Sequence, residues 1–478
     1  MEKTGFLQKL DKFFGISAHG STFKAEIIGG LTTFFAMCYI IIVNPNQMIG
    51  FSFDYPNAGA IWNACFVGGI IGAVVATLCM AFIAKKPFAL AAGMGLNSFF
   101  FVSFILPCIL SGSAMENGYA AGLAIILIAG LIFLVLSVTG ARKYIATSLP
   151  KALKVSIPAG IGAFIAFLGF QNSGLVVDNQ YTLVQFADFT HWLSAAPAIV
   201  AFVSFLAIVL FAHSNVKFLK GGAVILGILV GTALYYIFSI WTPELRVNAQ
   251  LGSIGQMFKD WGTYGLSFWK GFKTAFDGSL LGSVFSAIML IITFCLVDMF
   301  DTVGTLYGAS SAAGMVDENG DPENVQEEML CDSIGTVVGA CAGTSTITTF
   351  VESSAGIGAG ARTGLSSIVV ALLFLVSVFV GPLVNYVPGC ATAAALIYVG
   401  VLMFKGVVNV EWQDPRAAAT AFVTIFMMLC SYSITNGIIL GAVTYVLFTL
   451  FTFQFKKEDI VVTVIAVLGL LRFILVAM

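Results

Sequence analysis

Ser283-Val-Phe-Ser-Ala-Ile-Met-Leu-Ile-Ile-Thr-Phe-Cys-Leu-Val-Asp298-Met-Phe-Asp301-Thr-Val-Gly-Thr-Leu306 is long and apolar enough to cross a bilayer, yet it carries two carboxylates. A membrane helix needs about 20 mostly apolar residues, and a charge near its centre costs roughly 2.5–3.5 kcal/mol on insertion. Acids in such a place face a polar cavity or a partner and mark an ion or substrate path. Asp298 and Asp301 are three residues apart, so on a helix they share nearly one face. A third acid, Glu352, interrupts the Gly/Thr/Ser-rich run Thr346-Ile-Thr-Thr-Phe-Val-Glu-Ser-Ser-Ala-Gly-Ile-Gly358. The first reading is therefore transport.

The rest of the chain agrees with that reading. Hydrophobic residues make up 59% of the 478 and charged residues 10%, against about 25% charged in soluble domains. The expected fold class is an all-α polytopic membrane protein. Fourteen apolar spans are predicted, the first at 27–49 and the last at 434–453. A further apolar segment, 454–478, contains Arg472 and reads equally as a span or a surface helix. Lys3, Lys9, Lys12 and Lys24 precede the first span, and basic clusters such as Lys85/Lys86, Arg142/Lys143 and Lys456/Lys457 follow even-numbered spans. By the positive-inside rule the N-terminal segment 1–26 is cytoplasmic, and a cell-membrane location is expected. No removed signal peptide is predicted, because no short apolar region with a cleavage site opens the chain.

Nine scattered cysteines without CxxC or Cys/His ligand spacing read as packing residues rather than metal ligands. No cofactor, metal or nucleic-acid partner is expected. His19, His191 and His213 fall near predicted loops and are poor candidates for proton coupling. The acidic stretch Asp317 to Asp332 reads as a solvated cytoplasmic connection, and the GxxxG pairs Gly68/Gly72, Gly227/Gly231 and Gly335/Gly339 read as internal packing sites.

Seven spans (27–240) precede a polar connector (241–282) and seven (283–453) follow it. Two seven-span repeats have opposite topology, an arrangement that places a transporter site at the repeat interface. The breaks also correspond. Phe88-Ala-Leu-Ala-Ala-Gly-Met-Gly-Leu-Asn97 interrupts the third span and the run around Glu352 interrupts the tenth. Ile157-Pro-Ala-Gly and Val387-Pro-Gly each place a Pro before a small-residue helix start in the fifth and twelfth spans. Broken helices expose backbone groups that protein, water or ligand must satisfy, and Gly93, Gly95, Gly356, Gly358 and Gly360 allow close backbone approach there.

Glu26-Ile-Ile-Gly-Gly-Leu-Thr-Thr-Phe-Phe35 through Val43-Asn-Pro45, Ala92-Gly-Met-Gly-Leu-Asn97, Val297-Asp-Met-Phe-Asp-Thr-Val-Gly-Thr305, Gly343-Thr-Ser-Thr with Glu352-Ser-Ser-Ala-Gly356, and Arg362-Thr-Gly-Leu365 appear in that order. Together they resemble the AzgA-like purine permeases of the nucleobase/ascorbate (xanthine/uracil permease) transporter family, from about Gly20 to Phe453. The resemblance implies two intertwined seven-span inverted repeats. Spans 1–4 and 8–11 (about 27–139 and 283–384) would form a core, and spans 5–7 and 12–14 (about 155–240 and 389–453) a gate. It implies short antiparallel strands in broken spans 3 and 10, and a homodimer.

The resemblance also implies a site between core and gate. Asp301, followed by Gly304, matches the eighth-span acid and Glu352 the tenth-span acid; Phe350, Val351 and Ser353 flank the latter, and Asn97 matches a polar residue of the third span. Asp301, Asp298 and Glu352 are the proton-coupling candidates. Asp414 matches an acid before the thirteenth span, although beside Pro415 it reads better as a helix cap. A Pro expected near Leu429 is missing, which puts gate geometry in question. The expected activity is proton-coupled uptake of purine nucleobases, hypoxanthine or guanine first, with the proton as co-transported ion and no enzymatic step. The alternative is an anion transporter or channel of the same architecture, whose substrate two inward acids would repel.

Overall fold

Ten helices among the described residues are long and apolar enough to cross a membrane. The structure is a computed structural model that describes residues 5–51, 53–140, 149–245, 252–278, 280–313, 315, 324–384, 386–456 and 459–477, apart from some side chains within helices. Large apolar side chains such as Leu131, Leu210, Leu229, Leu372 and Phe426 lie exposed on these helices, as the hydrocarbon solvent of a bilayer allows.

The first part of the chain runs through α1 (Phe23–Met37), α2 (Ile40–Met48), α3 (Ala58–Cys79), β1 (Leu90–Ala92), α4 (Met94–Phe100), α5 (Met115–Val138) and α6 (Lys151–Asn172). A hairpin of β2 (Val176–Asn179) and β3 (Leu183–Phe186) then leads to α7 (Trp192–Ala212) and α8 (Ala223–Trp241). The second part contains α9 (Phe268–Phe276), α10 (Val284–Ala313), α11 (Val325–Ala342), β4 (Ile347–Thr349), α12 (Gly364–Ser377) and α13 (Gly389–Phe404). It closes with α14 (Pro415–Cys430), α15 (Ile434–Phe451) and α16 (Asp459–Ala477).

Helix starts follow local chemistry. Thr22 accepts from Ala25 N–H at 3.1 Å at the head of α1, Thr363 accepts from Leu365 N–H at 3.4 Å at α12, and Asp414 accepts from Arg416 N–H at 3.1 Å at α14. Pro415 then occupies the first turn, where its missing N–H costs nothing. Asp414 is thus a helix cap. Beyond it α14 runs unbroken through Leu429.

The helices pack in two sets. α3 lies against α11 and α12, α5 against α10 and α11, and α1 against α12, whereas α6 lies against α13 and α14, α7 against α8 and α13, and α14 against α15. The GxxxG glycines sit inside these contacts: Gly68 abuts the Ala342 carbonyl, Gly72 and Gly339 meet Ile347, and Gly227 and Gly231 meet Ser204. Close approach of this kind suits packing in lipid, where small residues rather than hydrophobic exclusion hold helices together.

β1 and β4, more than 250 residues apart in sequence, pair antiparallel with Leu90 opposite Thr349, Ala91 opposite Thr348 and Ala92 opposite Ile347. Each strand is held from behind by a threonine. Thr77 Oγ1 of α3 accepts from Leu90 N–H at 3.0 Å and donates to Leu90 O at 3.1 Å. Thr336 Oγ1 of α11 does the same with Ile347 N and O, both at 3.2 Å.

Several expectations are corrected. Pro158 does not precede a helix start: α6 begins at Lys151 and Pro158 lies inside it, whereas Pro388 does stand at the head of α13. A single lost i→i−4 bond is tolerated because flanking turns and neighbouring helices hold the segment. The acidic stretch is not wholly solvated. Glu328 and Asp332 lie four apart on one face of α11 and are fully buried, and Thr302 Oγ1 donates to Asp332 Oδ2 at 2.8 Å. Asp317, Glu318, Asp321 and Glu323 lie outside the described residues, as do Arg142 and Lys143. The polar connector is built in: Gly271 of α9 sits on the Ala120 backbone of α5, and Trp261 Nε1 donates to Ala342 O at 2.7 Å.

Replacing Thr336 by Val is expected to leave both backbone groups of Ile347 unpaired in an apolar surrounding, a loss of about 1–3 kcal/mol for each buried group. Thr77→Val should act alike on Leu90. Thermal unfolding of the purified protein in detergent checks this; an unchanged midpoint in both variants would remove the threonine clamps from the account.

Candidate functional site

The strand pair ends where two helices begin, and both beginnings face one cavity. After β1 the chain enters α4 at Met94, the first turn of a helical stretch that continues to Ser111. After β4, Phe350, Val351 and Glu352 lead into the short helix Ser353–Gly358. Gly93 N–H donates to Thr346 O at 2.9 Å and Phe350 N–H to Ala89 O at 3.0 Å, which extends the ladder by one bond at each end. Where the ladder stops, the first-turn N–H groups of the α4 helix have no intrahelical acceptor and present a positive dipole end toward the cavity.

The cavity, about 30 Å³, is lined on this side by Gly93, Met94, Gly95, Thr348 and Thr349. Asp301 and Thr305 reach it from α10, and Phe350, Val351 and Glu352 from the segment after β4. Ile165 of α6 with Val399 and Met403 of α13 close the opposite side. The two helix sets therefore meet across it. Asp301 is 6% exposed and Glu352 8%, and this residual exposure is directed into the cavity they line. A volume of about 30 Å³ holds roughly two water molecules.

Hydrogen bonds fix the acids differently. Tyr39 OH donates to Glu352 Oε1 at 2.6 Å, which orients the carboxylate and leaves Oε2 toward other donors. The backbone around Gly93 brings Asp301 close: a Cβ built on Gly93 would lie 3.7 Å from Asp301 Oδ2, 3.4 Å from Thr346 Oγ1 and 3.3 Å from Thr348 Cγ2. A side chain at 93 would enter the space beside the Asp301 carboxylate. Thr349 Oγ1 is buried in the cavity wall without a hydrogen-bond partner, an acceptor and donor available to a polar molecule.

Of the residues singled out in the sequence, Asp301, Phe350, Val351 and Glu352 come together on this cavity. Asn97, Ser353 and Asp298 stand behind it. Asn97 Nδ2 donates to Asn44 Oδ1 at 2.9 Å; Ser353 Oγ accepts from Ala89 N–H at 3.0 Å and so ties the two strands; Thr336 Oγ1 lies 3.3 Å from Asp298 Oδ2, which shares its one proton with Ile347 O. Gly356 packs against Gly29 and Thr33 of α1 instead of the cavity. Asp414 caps a helix away from it. Sequence reading missed Tyr39, Thr305, Thr349, Ile165, Val399 and Met403. Thr349 was within reach, since it stands three residues before Glu352 in an interrupted span; nothing local marks Tyr39.

Among the described residues no group of three or more His, Cys, Asp or Glu side chains is arranged to hold a metal ion. The site offers carboxylates, a hydroxyl and helix N–H groups around a small enclosed space.

Comparison with known proteins bears on the whole chain. Residues 24–454 match the Xan_ur_permease model, described as Permease family. The chain is 34% identical to adenine permease AdeP of Escherichia coli over 467 residues, covering 98% of this chain and 96% of that protein. It is 37% identical to guanine/hypoxanthine permease PbuO of Bacillus subtilis over 436 residues, covering 90% and 93%. Among solved structures, the transmembrane domain of the cyanobacterial bicarbonate transporter BicA aligns with a TM-score of 0.59 at 16% identity, over 85% of this chain and 95% of that one. SLC26A9 aligns with a TM-score of 0.57 at 14% identity, over 95% and 71%. At such identities the likeness concerns the fold. With its apolar helices and this family match the chain is a multi-pass membrane transporter, not an enzyme. It belongs to the xanthine/uracil permease family.

Proposed function

We propose that this protein takes up purine nucleobases, hypoxanthine and guanine first, by proton-coupled alternating access in the cell membrane, with its N-terminus in the cytoplasm. The observation that carries the reading is the convergence of Asp301 and Glu352 on one cavity between the two helix sets. An oxopurine has N–H groups on both of its ring edges, and a carboxylate on each side can accept from them. Phe350 supplies a flat apolar wall and Thr349 Oγ1 a further hydrogen-bond partner. Relatives named as adenine and as guanine/hypoxanthine permeases support the substrate class.

On this reading the set containing α1, α3, α5, α10, α11 and α12 is the core and the set containing α6, α7, α8, α13, α14 and α15 the gate. The architecture is fourteen spans in two inverted repeats of seven. It is supported by the matched placement of β1 and β4 and by the matched clamps of Thr77 and Thr336. A base is larger than two waters, so Ile165, Val399 and Met403 must withdraw from Asp301 and Glu352 to admit it. That motion of gate against core is the access step. Asp301 is the proposed proton carrier: a bound proton neutralises the acid while the site moves, and charge is costly in this surrounding. Asp298 and Glu352 are the further coupling groups.

The fold is shared with proteins titled as bicarbonate and anion transporters, which makes anion transport the competing reading. Two acids on the cavity wall oppose it, because an anion between them is repelled.

Uptake of radiolabelled hypoxanthine into proteoliposomes under an inward proton gradient tests the proposal. Wild type should accumulate substrate, with guanine competing. Asp301→Asn and Glu352→Gln should each lose roughly 10- to 100-fold in uptake efficiency, the equivalent of a hydrogen bond to a charged group. Saturable bicarbonate or chloride flux with no purine competition would replace purine by anion.

Thr349→Val removes a hydroxyl while keeping the side-chain shape. Its expected effect is a KM for hypoxanthine raised about 3- to 10-fold at unchanged expression, from the net worth of one hydrogen bond. An unaltered KM would take Thr349 out of the binding wall. Tyr39→Phe frees Glu352 from its orienting donor, and binding measured by substrate-induced thermal shift should weaken by a similar factor; equal shifts in variant and wild type would leave Tyr39 a packing residue.

A further inference from the structure

The helix α9, Phe268-Trp-Lys-Gly-Phe-Lys-Thr-Ala-Phe276, carries aromatic rings and lysines that the cavity beside Asp301 does not use. Its faces differ in a fixed order. Gly271 and Ala275, one turn apart, are buried, and Gly271 sits on the Ala120 backbone of α5. With about 100° of rotation per residue, Phe272 and Trp269 come next around the helix, and they are 37% and 62% exposed. Lys273 and Lys270 follow, both exposed, with Lys270 Nζ 5.6 Å from the centre of the Trp269 ring. Two bare rings therefore stand between the side that faces the protein and the side that carries charge.

The place of α9 identifies what covers those rings. Ala120 lies in the second turn of α5, a helix long and apolar enough to cross the membrane. The chain leaves α9 at Phe276 and enters α10 at Val284. Val284 and Ile288, one turn apart at the head of α10, are 50% and 45% exposed, the pattern of a side that faces lipid. α9 thus sits at the level where two membrane helices begin, which is the boundary between acyl chains and headgroups. Trp is favoured at that boundary, and a lysine there lays its stem on apolar surface while its ammonium group reaches the phosphates. From Trp261 to Phe276 the sequence contains no acid, and the exposed Asp277 follows directly. Charges of both signs therefore meet the headgroup layer, and a zwitterionic phospholipid surface offers partners to each.

We infer that α9 is an anchor in the bilayer interface, with Trp269 and Phe272 inserted where acyl chains meet headgroups and Lys270 and Lys273 among the phosphates. Because α9 is packed on α5, the anchored body is the helix set that carries Asp301. This contact with lipid does not depend on which substrate the protein moves.

The test places the full chain, wild type and Trp269→Phe, in phosphatidylcholine vesicles whose acyl chains are brominated either near the headgroup or near the chain end. The difference in fluorescence between the two proteins is the emission of Trp269. Shallow bromines should quench it roughly twofold or more and deep bromines less, as befits an interfacial ring. Lys270→Glu with Lys273→Glu should cut the shallow quenching by about half; unchanged quenching would take the lysines out of the anchor. Wild type alone, labelled with a diazirine phosphatidylcholine and mapped by peptide mass spectrometry, should carry label on Trp269 and Phe272 within about threefold of Val284 and Ile288. Background labelling of the two rings, in a protein that needs no substitution to fold, overturns the anchor. So does Trp269 emission quenched by aqueous acrylamide and untouched by bromine. Emission shielded from both quenchers assigns the face to a second protein surface and overturns the lipid partner.

Discussion

A backbone that leaves the helix inside a bilayer must find new partners for every N–H and C=O, and the rest of this structure is arranged around meeting that demand at two places. At 90–92 and 347–349 the chain becomes strand, and the two breaks satisfy each other by pairing antiparallel. Their outer edges are closed by side chains. Thr77 and Thr336 each bond both backbone groups of one strand residue, and Ser367 Oγ lies 2.7 and 2.9 Å from Lys86 O and Phe88 O, which share its one proton. Further along, Glu26 accepts from Arg362 N–H at 2.9 Å and Thr363 N–H at 3.3 Å, and Arg362 donates to Ile357 O and Ala361 O, both at 2.7 Å. Buried charge is thus spent on holding irregular backbone, which is one of the few settings where it is tolerated in a membrane.

Once the breaks are secured, they define the site. The same turn that ends β1 starts α4, and the same turn that ends β4 delivers Glu352, so one crossing presents a helix end and a carboxylate to one space. α10 brings Asp301 alongside. The neighbouring acids are assigned elsewhere: Asp298 accepts from Thr336, which also clamps β4, and Asp332 accepts from Thr302, whose hydroxyl lies 3.2 Å from Thr348 Oγ1 in β4. Site and scaffold therefore share a hydrogen-bond network, and a change at the strand clamp is felt one residue away from the cavity wall.

Glycine distribution follows the same logic. Gly68, Gly72 and Gly339 allow α3 and α11 to approach the strand crossing so closely that their threonines reach its backbone. Gly93 instead keeps space clear beside Asp301. Both uses rest on a missing Cβ, and the difference lies in what that Cβ would have met.

Much of this was legible in the chain. Apolar length marked the membrane helices, the acids within Ser283–Leu306 marked a polar path, and the Gly/Thr/Ser-rich interruptions marked the breaks, because each is a property of contiguous residues. Capping chemistry likewise identified Asp414 before α14. Pro158 misled for the same reason, since its local meaning as a helix start is overridden by the turns and neighbours around it. Glu328 and Asp332 misled because an acidic run says nothing about which of its members a helix turns inward. The pairing of Leu90 with Thr349 and the donation from Tyr39 to Glu352 both join residues from distant elements. Their geometry depends on helix rotation and close packing, which no local window contains, and so it was decided when the helices docked.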